Sequence, residues 1–170
     1  GRAPRRRERS GLMTDTANTS DNDSEPGAGR LRAVSEFWEL PGDPAFCPDL
    51  RGRIRRSLTG FPHAAADAEL VVAELFANAC RHSLSGDGGK VTVTLAGLRT
   101  GLVLVTVTDQ GPRPDPATGR PRIPQTRPLD GTLATGGRGL RLVAALATDW
   151  GHWRTDTGGH AVWAVFDPRR

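Results

Sequence analysis

The sequence predicts an α+β fold: a two-layer α/β sandwich with helices on one face of a mixed, mostly antiparallel sheet. Two apolar, β-branched runs (Val91, Val93, Leu95 and Leu102, Leu104, Val105, Val107) flank the short turn Arg99-Thr100-Gly101, which is a hairpin pattern. A second hairpin pattern closes the chain, with residues 150–154 and 161–166 around Asp156-Thr157-Gly158-Gly159. Between the strand signals, residues 64–83 carry apolar side chains at helical spacing.

The elements follow in order. Residues 1–30 are rich in Arg, Ser, Thr, Asp, Asn and Gly with almost no large apolar side chain, so they cannot offset their ordering entropy and read as a disordered arm. From Leu31 the pattern changes. Ala33, Ser35, Phe37 and Glu39 alternate with Val34, Glu36, Trp38 and Leu40 as a strand that Pro41-Gly42 ends. Residues 44–58 place Leu50, Ile54 and Leu58 at four-residue spacing among arginines, an amphipathic helix with Pro48 in its first turn. The long helix 64–83 and the 91–107 hairpin come next, with Asp109 ending the second strand. Residues 110–137 hold six of the thirteen prolines and no periodicity. A loop that long is usually functional or disordered. Residues 140–147 read as a helix opened by glycines.

Composition narrows the class. A chain of 170 residues suits one domain, taken here as 31–168. No apolar run approaches the roughly 18 residues of a membrane span. The formal charge of +4 suggests nucleic acid until it is located: residues 1–12 hold five arginines and one glutamate, leaving eighteen basic and eighteen acidic residues elsewhere. Direct DNA binding is therefore not expected of the neutral body. Met13, the only methionine, marks the expected natural start, with residues 1–12 as an upstream segment. No apolar stretch follows the arginines of this segment, so no secretory signal is read and a cytoplasmic location is expected. Cys47 and Cys80 lack CxxC spacing and read as small buried apolar residues. No internal repeat is seen.

On a helical wheel, Arg81, Glu74, Asp67, Asn78 and His82 collect within roughly 100° of arc, opposite Leu75, Ala79, Val72, Phe76, Cys80 and Ala73. Solvated polar faces are common, but Asn78 sits in mid-helix, where asparagine has poor propensity. Its carbonyl oxygen can coordinate magnesium, a hard cation that leaves the rest of its shell to phosphates and water. Glu74, one turn earlier, can orient or deprotonate a nucleophile.

Glu74-Leu75-Phe76-Ala77-Asn78-Ala79-Cys80-Arg81-His82 resembles the N box of the histidine-kinase-like (GHKL) ATPases, specifically the anti-sigma factor serine kinase branch of actinobacterial regulators. Thr108-Asp109-Gln110-Gly111-Pro112 resembles the G1 box, and Gly136-Gly137-Arg138-Gly139-Leu140 the G2 box, in the expected order. The resemblance implies a Bergerat-type ATP-binding fold with ATP and Mg2+ as ligands. It implies Glu74 as catalytic base and Asn78 as magnesium ligand. Asp109 and Gly111 become the adenine contacts, and Gly137, Gly139 and Leu140 the phosphate-side turn. The implied activity is protein serine/threonine kinase action on an anti-anti-sigma (STAS-type) partner, together with sequestration of a sigma factor. Dimerisation is common in such relatives, so a homodimer is an implied state. The alternative from another class is a non-catalytic module that holds a partner with or without ATP.

Other motif readings fail on context. Gly137-Arg138-Gly139 follows a loop and lacks a third Rossmann glycine, and Gly89-Lys90-Val91 lacks the Ser/Thr of a P-loop. No phosphoacceptor or receiver segment fits in the remaining length, so a full sensor histidine kinase is not expected. Departures from the family pattern are Arg113 in place of a second G1 glycine, and Ala161 where a threonine usually helps bind adenine. A further departure is Leu133-Ala134-Thr135, which lacks an arginine before the glycine turn; Arg127 and Arg138 are the candidates to replace it. His63, His152 and His160 show no metal-ligand spacing, and His82 reads as a packing or hydrogen-bonding residue. Trp150, Trp153 and Trp163 in the last hairpin read as core or sheet-face packing.

Overall fold

A computed structural model of the chain describes residues 33–120 and 137–169. The expectations for the arm 1–30, for Arg127, for residues 133–136 and for most of the proline-rich loop lie outside the described residues.

Strand β1 (Val34–Pro41) follows the alternation read from the sequence. Val34, Trp38 and Leu40 turn toward the core, while Phe37 stands 66% exposed on the other face. Asp43 then caps a short 3-10 turn, its carboxylate accepting the Ala45 N–H at 2.8 Å. Helix α1 (Cys47–Ser57) does begin with Pro48 in its first turn. Leu50, Ile54 and Leu58 are completely buried, as their spacing requires. Helix α2 (Pro62–His82) starts two residues earlier than expected because Pro62, preset to a helical φ, opens it.

A buried acid fastens the two helices. Glu69, on α2, accepts from Arg51 Nε at 2.9 Å and from Arg55 Nε and Nη2 at 3.0 and 2.6 Å. The Arg55 hydrogen bonds above all hold the Glu69 carboxyl below its usual pKa, against the effect of burial. Nothing in the sequence reading singled out Glu69; the available signal was the pair of arginines one turn apart on α1.

Strands β2 (Lys90–Gly97) and β3 (Val103–Asp109) form the expected hairpin. Gly101 supplies the left-handed turn residue at φ +92°. Gly97 leaves room for Phe61, since a Cβ there would stand 2.6 Å from the Phe61 ring. After α3 (Gly137–Leu146), strands β4 (Asp149–Arg154) and β5 (His160–Phe166) close the chain as a hairpin.

Among the described residues the strand order is β1-β2-β3-β5-β4 and every pairing is antiparallel, in keeping with the mostly antiparallel sheet expected and without the parallel pair that a mixed sheet would add. The reason lies in the connections. Two successive helices return the chain so that β2 runs against β1. Strands β3 and β4 run the same way on either side of α3, but β5 inserts between them. Val91, Val93, Leu95, Val103, Val105, Val107, Ala164 and Phe166 form the inner face beneath the helices. The tryptophans divide between the faces. Trp150 packs on the core, whereas Trp163 lies across Gly151 on the outer face, where a Cβ would meet its ring at 2.8 Å. Trp153, at 47% exposure, is also on the outer face.

Candidate functional site

Helix α2 is amphipathic in the manner the wheel describes. Val72, Leu75, Phe76, Ala79 and Cys80 are buried, Glu74 and Asn78 are half-buried, and Arg81 and His82 are exposed. Leaving the core side to apolar groups turns Glu74 and Asn78 together toward one surface, one helical turn apart. Arg81 reaches to 3.8 Å from Glu74 Oε1.

The start of α3 comes to the same surface. A Cβ built on Gly139 would overlap Glu74 Oε1 and stand 2.6 Å from Glu74 Cγ and 2.7 Å from Cδ. Glycine at 139 therefore lets the first turn of α3 close onto the Glu74 side chain. Gly137 opens that helix, and Leu140 packs against the core to hold its angle. The first N–H groups of a helix have no partner within it and favour anions.

Asp109 marks the other end of the site. Its Oδ1 accepts the Gly111 N–H at 2.7 Å, and the His160 backbone N–H also supports the carboxylate. Burial nevertheless dominates and raises the Asp109 pKa, with the Gly111 hydrogen bond opposing it. Gly111 takes φ +95°, and a Cβ there would overlap the Gly158 carbonyl oxygen. Both the turn and the close approach require glycine.

A buried polar knot ties this turn to the end of α2. The Leu84 N–H donates to Gly111 O at 2.9 Å, and Ser83 bridges Pro112. Ser85, fully buried, accepts the Gln110 N–H at 3.0 Å and donates to Lys90 O at 2.6 Å. Arg113 donates to the carbonyls of Arg81 and Cys80 at 3.1 and 3.4 Å and pairs with Asp87 at 3.0 Å. The residue that departs from a G1 glycine thus caps the C-terminus of α2, where a cation also complements the helix dipole.

One expectation is corrected by sheet register. Ala161 pairs with Thr108, so it lies on the face away from Asp109, and it is His160 that stands directly across from Asp109. Side chains alternate along a strand, so moving one residue changes the face. The signal was present as alternation in 160–166, which needed the pairing partner to be read.

Burial raises the thiol of Cys47 and pushes that of Cys80 up to about 11, as for inert packing residues. His63 Nε2 lies 2.9 Å from Gly101 O, and among the described residues no group of three or more His, Cys, Asp or Glu side chains forms a metal site. No helix among them is long and apolar enough to cross a membrane. The side chain of Arg138 lies outside the described residues.

The residues present fit a magnesium nucleotide. Asn78 offers one hard oxygen, the fitting protein share for an ion that takes its other ligands from phosphate and water. Glycine at 139 and 111 keeps the backbone close against Glu74 and the Gly158 carbonyl, which sets the shape of the protein around this surface.

Residues 41–166 match the family model described as the histidine kinase-like ATPase domain. No curated protein sequence matches the chain. Among solved structures, the RsbU and RsbW domains of Rv1364c from Mycobacterium tuberculosis align with a TM-score of 0.57 at 17% identity, over 79% of this chain and 32% of that one. This chain thus spans about a third of that structure's length. The SiaB–SiaC complex from Pseudomonas aeruginosa aligns with a TM-score of 0.57 at 17% identity, over 81% of this chain and 91% of the matched one. At that identity the likeness concerns the fold.

Proposed function

Because the chain belongs to the histidine kinase-like ATPase family, we propose that it binds ATP with Mg2+ and acts as an anti-sigma-type regulator. In this reading it is a cytoplasmic protein that holds a sigma factor and phosphorylates a serine or threonine of an anti-anti-sigma partner. A domain of this family implies ATP binding; the choice of phosphoryl acceptor and of partners is our own reading. The observation that carries it is the closure of Gly139 onto Glu74, which puts a carboxylate at the anion-favouring start of α3.

Each residue then has a task. Asp109, fixed by the Gly111 amide, accepts a hydrogen bond from the adenine amino group, and Gly111, at φ +95°, turns the backbone beside the base. Gly137, Gly139 and Leu140 present the backbone N–H groups of α3 to the phosphates. Asn78 would hold Mg2+ through its carbonyl oxygen, and the ion would supply neutralisation of phosphate charge. Glu74 orients the acceptor hydroxyl and takes its proton as the γ-phosphoryl group moves to that oxygen and ADP leaves.

Labelled ATP and an anti-anti-sigma domain test this directly. Transfer to the partner that disappears in Glu74→Ala is the expected result, with Mg-ATP binding by calorimetry weakened in Asn78→Ala and Asp109→Asn. Binding without transfer by the wild type would return the chain to a non-catalytic, partner-holding module. Binding unaffected by either substitution would remove the site assignment.

A further inference from the structure

His160 and His152 form a pair that the functions above do not use. His160, on β5, pairs with Asp109 of β3, so both lie on the sheet face that carries Val107 and Val162, and Arg154 is its partner on β4. Its Nε2 lies 3.2 Å from Nδ1 of His152, and the two rings are tilted with centroids 5.2 Å apart. A single proton joins two facing imidazole nitrogens. Whichever ring donates it sets the character of the remaining His160 nitrogen: Nδ1 is an acceptor when Nε2 donates and a donor when Nε2 accepts. The ring can therefore meet either edge group of a purine. One further proton on His160 would change this, placing a cation beside the Asp109 carboxylate and removing the free acceptor.

We propose that His160, coupled to His152, is a nucleobase-contacting residue that works with Asp109 and makes nucleotide affinity fall on acidification. The inference rests on the nucleotide reading of the Asp109 turn. The charged groups facing His160 are Asp109 from β3 and His152 and Arg154 from β4. Burial is the largest influence and favours the neutral ring, followed by Asp109, which favours the charged one. Burial thus holds the His160 ring toward its neutral form and moves its proton uptake to the acid side of the ordinary histidine value. Once charged, it pairs with Asp109 and competes with the exocyclic amino group for the same carboxylate.

The test is Mg-ATP affinity by calorimetry at pH 7.5 and 5.5 for the full chain and for His160→Ala and His160→Asn. Each variant is compared with wild type at the same pH, which cancels protonation of the nucleotide itself. Removing the ring contact in His160→Ala is expected to weaken binding about three- to tenfold at pH 7.5, the effect of one hydrogen bond. His160→Asn keeps a donor and an acceptor without titrating. It is expected to stay within about threefold of wild type at pH 7.5 and to lose a wild-type acid loss of up to about tenfold. Wild-type affinity in His160→Ala at pH 7.5, or a wild-type pH dependence in His160→Asn, would overturn the proposal while leaving the nucleotide reading intact. A folded wild type that binds no Mg-ATP at pH 7.5 would remove both.

Discussion

Gly139→Ala separates packing from catalysis at the candidate site. The new Cβ would stand 2.6 Å from Glu74 Cγ and 2.7 Å from Cδ. Ordinary carbon contacts are about 3.5–4.0 Å, so either Glu74 or the start of α3 must give by about 1 Å. Rotating only the carboxylate does not relieve the clash, because Cγ itself is too close. Overpacking costs about 1–3 kcal/mol, and replacing a helical glycine by alanine returns about 0.5–1 kcal/mol. The net loss of about 0–2.5 kcal/mol lowers Tm by no more than about 10 °C and leaves the protein folded at 25 °C. Displacing a reacting group by about 1 Å, in contrast, costs about a hundredfold in rate. Thermal melts and single-turnover transfer to the partner domain read the two effects separately. A variant with lowered Tm but wild-type transfer and wild-type Mg-ATP affinity would refute the claim that Gly139 sets the position of Glu74.

Two further outcomes follow from the buried polar groups. Glu69→Gln weakens the charge-assisted bonds to Arg55 and Arg51 and is expected to cost about 1–3 kcal/mol in urea unfolding at pH 7. Since Glu69 is shifted below its unfolded pKa, chiefly by Arg55, its contribution is present above the ordinary glutamate value and is lost as pH falls through the folded one. Wild type and variant should therefore converge below about pH 4, and a constant difference down to about pH 2.5, roughly two units below the ordinary glutamate pKa, would contradict the ion-pair account. Ser85→Ala strands the Gln110 N–H and the Lys90 carbonyl in a buried knot, an expected loss of about 1–3 kcal/mol. Because the same knot carries the Asp109 turn, Mg-ATP affinity should fall with it, and a stability loss with full affinity would show that the turn holds its shape alone.

The sequence by itself determined what repeats locally. Four-residue spacing of Leu50, Ile54 and Leu58 and the one-sided polarity of residues 64–83 specify helices with a defined buried face, and alternation specifies the strands. Glu74 and Asn78 were legible for the same reason: one turn of one helix puts them side by side whatever surrounds it. For Asp109 and Gly111 the local pattern gave only a strand end and a turn; their place among the candidate site residues came from the resemblance of residues 108–112 to the G1 box. What only the tertiary structure decided is everything that depends on a partner from elsewhere in the chain. The closure of Gly139 onto Glu74, the seat of Arg113 on the end of α2, the Glu69 clamp and the insertion of β5 between β3 and β4 join segments far apart in sequence. Register is the sharpest instance. Alternation states that His160 and Ala161 face opposite ways, but only pairing with β3 says which of them faces Asp109.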